Sequence, residues 1–479
     1  MNYRTVGYLF GVLLLLEACL LAAPFFCALA YGEALTPYLY TMAALVAVGT
    51  PLVLQKPKNI RIFALEGFLC VAGSWVLLSL FGSLPFLFSG TIPNFFDAFF
   101  ETVSGFTTTG ASILGEVESL PRGILFWRSF THWVGGMGVL VFMLAVLPSD
   151  NSRAMHLLRA EVPGPQKGKL VPKLRRTAMI LYGIYVCLTF VQTVALLIAG
   201  LPLYDALVTA LGTAGTGGFA VKNLSIAGYG NPAAEWIIAL FMFLFGVNFN
   251  LYFFLLIGRA KEALKSEELR TYLLITVLST AVIALNISSL TGSFSEAIRT
   301  AFFQVTSISS TTGYATADFN LWPSLSKTVI ICLMLLGACA GSTAGGLKVS
   351  RVVMLVKGAW REVRHTLRPR SCNVTRLDGN VLPEETVRAT GNYLMIYTSM
   401  LLLTALLIST DGFDLVTDFT ASLTCISNVG PGLSLVGPLG NFAGFSWFSK
   451  LILSLEMLFG RLEFFPMMIL FAPRAWKRP

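Results

Sequence analysis

Four short glycine-containing segments recur along the chain, and none carries a charge. They are Thr107-Thr108-Thr109-Gly110-Ala111, Gly215-Thr216-Gly217-Gly218-Phe219, Ser310-Thr311-Thr312-Gly313-Tyr314 and Ser427-Asn428-Val429-Gly430-Pro431. Glycine relieves the steric limits on carbonyl orientation, and Thr and Ser add hydroxyl oxygens. A ring of such oxygens replaces the hydration shell of a monovalent cation. The segments hold no Asp or Glu, which disfavours a carboxylate ring built for divalent ions. One such glycine alone is better explained by close helix packing. Four copies at one topological position favour the cation-binding reading.

These segments need elements that hold them at membrane depth. The 479 residues are 55% hydrophobic and 12% charged, whereas soluble domains carry about 25% charged residues. The chain therefore reads as a polytopic membrane protein. Ten apolar segments, about 6–30, 37–55, 62–88, 123–148, 177–200, 233–258, 271–291, 326–358, 391–410 and 447–472, are long enough to cross a core of ~30 Å as helices. Each glycine segment lies between two of them and follows a stretch of about a dozen residues. That stretch is too short to span and suits a re-entrant half-helix.

Internal similarity supports this arrangement. Ala98-Phe-Phe-Glu101-x-x-Ser104 and Ala301-Phe-Phe-Gln304-x-x-Ser307 align when Gly110 and Gly313 are superposed, and weaker copies run from Ala206 to Gly218 and from Asp418 to Gly430. The four glycines Gly110, Gly218, Gly313 and Gly430 are 108, 95 and 117 positions apart. The expected fold is all-α: four parallel span–pore-helix–span repeats around a pseudo-fourfold pore. The expected divisions are two additional N-terminal helices in 1–58, repeat one in 59–150, repeat two in 151–262, repeat three in 263–375 with a broken second helix, and repeat four in 376–479. Arg4, the apolar run and Ala28-Leu29-Ala30 fit a signal peptide, but the run is about 25 residues long, so a retained helix is preferred.

Basic residues set the orientation. Lys56, Lys58 and Arg61, the loop from Arg153 to Arg176, Arg259 to Arg270, Arg361 to Arg388, and Arg474 to Arg478 fall on one side if ten spans alternate. The opposite loops hold scattered cations such as Arg122, Lys222 and Arg299. Both termini are therefore expected in the cytoplasm, and the net charge of +9 reflects membrane orientation rather than nucleic-acid binding. The pore helices would point their partially negative C-terminal ends toward the bilayer centre, favouring a cation there. Asp97, Asp205 and Glu296 lie near their N-termini, as caps or as ion attractors.

Two further features stand out. Gly337-Ala-Cys-Ala-Gly341-Ser342-Thr343-Ala-Gly345-Gly346, followed by Lys348, is a poor helix interior because each glycine costs ~1 kcal/mol relative to alanine. It reads as an intramembrane loop beneath the pore, with a tightly packed small-residue helix as the alternative. Arg461 sits within the last span, where an ionisable residue is costly. It is expected to face the pore or to pair with Glu463 or Glu456. The eight cysteines show no CxxC spacing and the three histidines are scattered, so no metal site or catalytic triad is evident and no enzyme is expected. Gly164 to Lys169 lacks phosphate-loop spacing, and the sequon Asn373-Val-Thr375 falls on the expected cytoplasmic side.

The chain resembles the Trk/Ktr/HKT superfamily of potassium transporters, and most closely the bacterial TrkH-type membrane subunit. The resemblance covers nearly the whole sequence. It rests on Thr107-Thr-Thr-Gly110, Trp133-Val-Gly-Gly-Met-Gly138, Ser310-Thr-Thr-Gly-Tyr314, Cys339-Ala-Gly-Ser-Thr343 with Gly345-Gly-Leu-Lys348, Asn428-Val-Gly-Pro-Gly432 and Gly460-Arg-Leu-Glu463. It implies a potassium-selective filter formed by Thr108, Thr109, Gly110, Thr216, Gly217, Gly218, Thr311, Thr312, Gly313, Asn428, Val429 and Gly430. Relatives with serine at the first filter glycine tend to admit sodium; this chain has Gly110. The resemblance further implies a gate at Gly337, Gly341, Ser342, Thr343, Gly345, Gly346 and Lys348, and an electrostatic barrier at Arg461. It implies transported potassium with no organic cofactor. It also implies a homodimer in a bacterial inner membrane that binds a cytosolic nucleotide-binding ring of the TrkA type. The basic loops suit either that partner or membrane lipids. The second and fourth repeats depart from Thr-Thr-Gly. Coupled symport with sodium or protons, and a receptor or scaffold without transport, stand as alternatives.

Overall fold

The computed structural model describes residues 3–57, 64–138, 174–370, 374–470 and 472. Lys58, Arg61, the basic stretch at 153–173 with its glycine-rich 164–169, Cys372, Asn373, Arg474, Lys477 and Arg478 lie outside the described residues. The fold is helical, and strand pairing among the described residues is confined to a hairpin of Arg376–Leu377 with Asn380–Val381 and one bridge between Leu336 and Leu347.

Six apolar helices among the described residues are long enough to cross a membrane: Tyr3–Ala30, Thr36–Leu54, Glu66–Phe88, Ala178–Ile198, Glu267–Ile287 and Glu384–Asp411. The first two cross at Gly11 and Gly49, where an added Cβ on Gly11 would lie 2.8 Å from the Gly49 carbonyl. Close backbone approach of this kind is how helices pack in lipid. Leu13 and Leu14 of the first helix enter the same buried cluster as the first and fourth pore helices.

Four short helices, Phe95–Phe106, Leu203–Gly215, Phe294–Ser309 and Leu415–Ser427, precede the glycine segments. Asn94, Ser293 and Asp414 cap three of them, accepting from Phe96 N, Glu296 N and Thr417 N; Pro202 holds the cap position of the second. Asp97, Asp205 and Glu296 therefore occupy first turns, where a carboxylate suits the dipole, rather than cap positions. Asp97 also pairs with Lys450 at 2.7 Å.

The helices after the second and fourth glycine segments correct the expectation of long continuous spans, the one after the third is broken as expected, and residues 139–148 lie outside the described residues. Of 123–148, the structure describes a helix of Arg122–Gly136 and coil to Gly138. The segment at 233–258 bends by 92° between Pro232–Phe245 and Phe249–Leu256. The segment at 326–358 separates into Ser324–Leu335 and Val349–Leu367. The last segment breaks after Trp447–Leu462 at Glu463 and Phe464, both with left-handed φ of 58° and 60°. Gly246 at the bend admits the Tyr272 hydroxyl: a Cβ there would lie 2.5 Å from it. Asn248 then caps the second half-helix, its Oδ1 accepting from Asn250 N at 2.9 Å. A kink in a helix requires such replacement partners for its freed backbone groups.

Candidate functional site

All four pore helices terminate alike. Thr108, Thr216, Thr311 and Asn428 take left-handed φ values of 57°, 55°, 58° and 55°. The next N–H reaches back five residues, from Thr109 to Ser104 (2.9 Å), Gly217 to Gly212 (3.0 Å), Thr312 to Ser307 (2.8 Å) and Val429 to Thr424 (2.9 Å). These are Schellman-type closures. A left-handed conformation costs an L-residue about 1–2 kcal/mol, so burial and bonding must hold each one in place. Two residues after these left-handed positions, Gly110, Gly218, Gly313 and Gly430 return to positive φ, at 81°, 78°, 83° and 100°.

The glycines close a ring. A Cβ on Gly110 would lie 2.1 Å from the Gly217 carbonyl oxygen, one on Gly218 2.0 Å from that of Thr312, one on Gly313 2.3 Å from that of Val429, and one on Gly430 2.7 Å from that of Thr109. The contacts run from repeat one through two, three and four and back to one. No side chain fits between neighbouring loops, so backbone oxygens line the junctions. The second and fourth loops take the same backbone path as the others despite their divergent residues.

Oxygen chemistry suits a cation here. Thr107 and Thr109 hydroxyls are 2.8 Å apart, and those of Ser310 and Thr312 2.7 Å. Asn428 Nδ2 donates to Thr109 Oγ1 at 2.9 Å and to Met457 O at 3.0 Å, tying loop four to loop one. Thr108 Oγ1 and Asn428 Oδ1 are buried without a hydrogen-bond partner in the protein. Buried oxygens normally have one. In the connections leaving the first two loops, Asn223 N donates to Glu118 at 3.1 Å. That bond, helped by Lys222, holds the Glu118 carboxyl below its ordinary value.

The loop between Leu335 and Val349 packs at the C-terminal ends of the pore helices. Gly345 N donates to Thr311 Oγ1 at 2.7 Å, and a Cβ on Gly345 would lie 2.6 Å from Ser427 O. Gly337 N donates to Leu347 O at 2.8 Å, and a Cβ on Gly337 would meet Gly345 O at 2.3 Å. Gly341 and Gly346 adopt φ of 74° and 67°. Gly341 O accepts from Phe249 N at 3.0 Å, Ser342 Oγ donates to Cys339 O at 2.6 Å, and Thr343 Oγ1 donates to Phe245 O at 3.3 Å. Lys348 is buried and donates to Ala344 O and Gly345 O. The bend in the second repeat and the loop of the third thus hold each other.

Arg461 reaches into the same region. Nη1 donates to Thr343 O at 2.8 Å, and Nη2 to Gly135 O and Gly136 O at 2.6 and 2.8 Å. Glu463 is engaged bidentately by Arg351, and Glu456 accepts from Ser422 Oγ at 2.7 Å.

Several supporting residues were not singled out from sequence. Glu268 Oε1 accepts from Ala340 N at 2.7 Å and Ser350 N at 3.1 Å, gripping both ends of the loop; in sequence it resembles an ordinary acidic helix start. Glu101 pairs with Arg128 at 2.6 Å in the buried interior and accepts from Ile113 N at 2.9 Å. Its aligned counterpart Gln304 donates to Ala317 O at 3.3 Å. The Glu/Gln position of the repeated motif was the available signal.

Comparison with known proteins extends over this whole architecture. The TrkH family, described as cation transport protein, matches residues 38–478. The Trk system potassium uptake protein TrkH of Salmonella typhimurium is 35% identical, with 100% of both chains covered. The Trk system potassium uptake protein TrkG of Escherichia coli is 31% identical, with 99% of each covered. The crystal structure of the potassium transporter TrkH from Vibrio parahaemolyticus superposes with a TM-score of 0.89 at 32% identity, covering 100% of both chains.

Proposed function

The chain belongs to the TrkH family of cation transport proteins, and on that premise we propose that it takes up potassium across a bacterial inner membrane. The observation that carries this reading is the ring of glycine–carbonyl contacts between the four loops. Potassium is the transported substrate, and Thr108, Thr109, Gly110 and their counterparts exchange its water for backbone and hydroxyl oxygens. The loop at 337–348 is the gate. With Gly345 bonded to Thr311, it lies against the inner end of the filter. Lys348 and Arg461 add positive charge there and oppose cation passage while the loop is in place. Displacing the loop requires breaking the Arg461 bond to Thr343, while the bonds to Gly135 and Gly136 hold the arginine to repeat one.

The Trk system names of the relatives suit a multi-component transporter. In our reading the chain forms a homodimer and its basic face docks a cytosolic nucleotide-binding ring of the TrkA type, which moves the gate. A family of cation transporters leaves no role for the receptor or scaffold alternative, nor for an enzyme.

Rubidium uptake by potassium-transport-deficient cells tests the proposal. Cells expressing the chain with its regulatory partner should accumulate rubidium, and potassium should compete better than sodium. No uptake by well-expressed protein would overturn it. Reversal potentials under separate potassium, sodium and proton gradients distinguish coupled symport.

A further inference from the structure

Gly217 stands where the other loops carry Thr109, Thr312 and Val429. A side chain from another repeat fills the space. A Cβ on Gly217 would lie 2.1 Å from Cγ and 2.2 Å from Nδ1 of His132, a fully buried residue of the Arg122–Gly136 helix. Nδ1 lies 2.7 Å from Gly105 O in the last turn of the first pore helix, and Nε2 lies 3.3 Å from Phe219 N, just beyond Gly218. A carbonyl only accepts and an amide N–H only donates. The ring is therefore neutral, with its proton on Nδ1, and bridges the end of the first pore helix and filter loop two.

Phe219 is held by neighbouring groups as well. Its ring centroid lies 4.2 Å from that of His132, and the Arg128 guanidinium carbon lies 3.7 Å from it. The Tyr314 hydroxyl from repeat three donates to its carbonyl at 3.3 Å. Loop two therefore takes its bracing from repeats one and three.

We propose that His132 is the positioning residue of the second filter loop, its imidazole replacing the side chain that Gly217 lacks and fixing the spacing of loops one and two on which potassium selectivity depends. The inference rests on the transport function proposed above. It deepens that function by assigning a selectivity role to a residue outside the glycine segments. Selectivity follows from the size of the ring and the field of its oxygens, and both change if loop two shifts.

The test uses the full chain in proteoliposomes, with rubidium uptake competed by potassium or sodium. His132→Leu leaves Phe219 N–H unpaired and should reduce the preference for potassium over sodium by about tenfold. His132→Gln can donate to Gly105 O and accept from Phe219 N, and should keep the preference. Gly217→Thr should abolish uptake through collision with the ring. Combining it with His132→Ala should restore uptake, because the new threonine then occupies the vacated space. Wild-type preference in His132→Leu would overturn the inference, as would a folded double variant no more active than Gly217→Thr. If His132→Leu does not fold, the Gly217→Thr pair decides. A wild-type chain that takes up no rubidium overturns the transport reading itself, whereas an active wild type with an insensitive His132→Leu overturns this inference alone.

Discussion

Arg461 illustrates how little a residue's type says about its partner. The sequence places a cation within an apolar stretch, where it must be neutralised or solvated. The fold gives it three backbone carbonyls, two at the C-terminal end of the Arg122–Gly136 helix and one in the 337–348 loop. A hydrogen bond to a charged group contributes about 1.5–3 kcal/mol, so the bond to Thr343 is a substantial tether on the loop proposed as the gate. Arg461→Ala should raise rubidium flux several-fold in proteoliposomes. Arg461→Lys, which keeps the charge but loses the planar fork, should fall between the two. Flux in Arg461→Ala equal to wild type would remove both the barrier and the tether. The filter glycines were legible because left-handed φ and close backbone approach demand that residue type. His132 was not, because its meaning depends on the Gly217 surface it meets.

Among the elements, the pore helices follow from local rules: short apolar runs and N-caps at Asn94, Ser293 and Asp414; their C-termini close on left-handed Thr or Asn, which only the packing holds in place. The breaks in the following helices do not. Of these, the glycine density of 337–346 announces the third, whereas the 92° bend near Gly246, where Tyr272 and the 337–346 loop pack closely, leaves no local signal. The 337–346 loop, proposed as the gate, depends on Glu268, whose carboxylate binds Ala340 N and Ser350 N across it. Glu268→Ala would leave two buried donors unpaired, costing about 1–3 kcal/mol for each group. The closed loop should then loosen, and flux through protein reconstituted without a regulatory partner should rise. Glu268→Gln retains an acceptor oxygen and should leak less. A Glu268→Ala protein as tight as wild type would show that the loop closes without this brace.

For the whole molecule, the ring exists only when all four repeats meet, since each glycine is completed by the next repeat's carbonyl. An ion held by all four loops should therefore stabilise the assembled fold. Potassium in excess should raise Tm of the detergent-solubilised protein, with about 2.7 kcal/mol of stabilisation at a hundred times the dissociation constant. Sodium at equal ionic strength should do less. Identical responses to the two ions would mean that the folded ring does not discriminate between them.

The sequence by itself determined the membrane class, the fourfold repetition and the glycine positions, because apolar length, internal similarity and backbone sterics are local properties written residue by residue. Tertiary structure decided which carbonyl faces which glycine, where Arg461 and Glu268 find partners, and why loop two needs His132 in place of a side chain of its own. Those contacts join residues up to 326 positions apart, and their geometry depends on how whole repeats pack around a common axis.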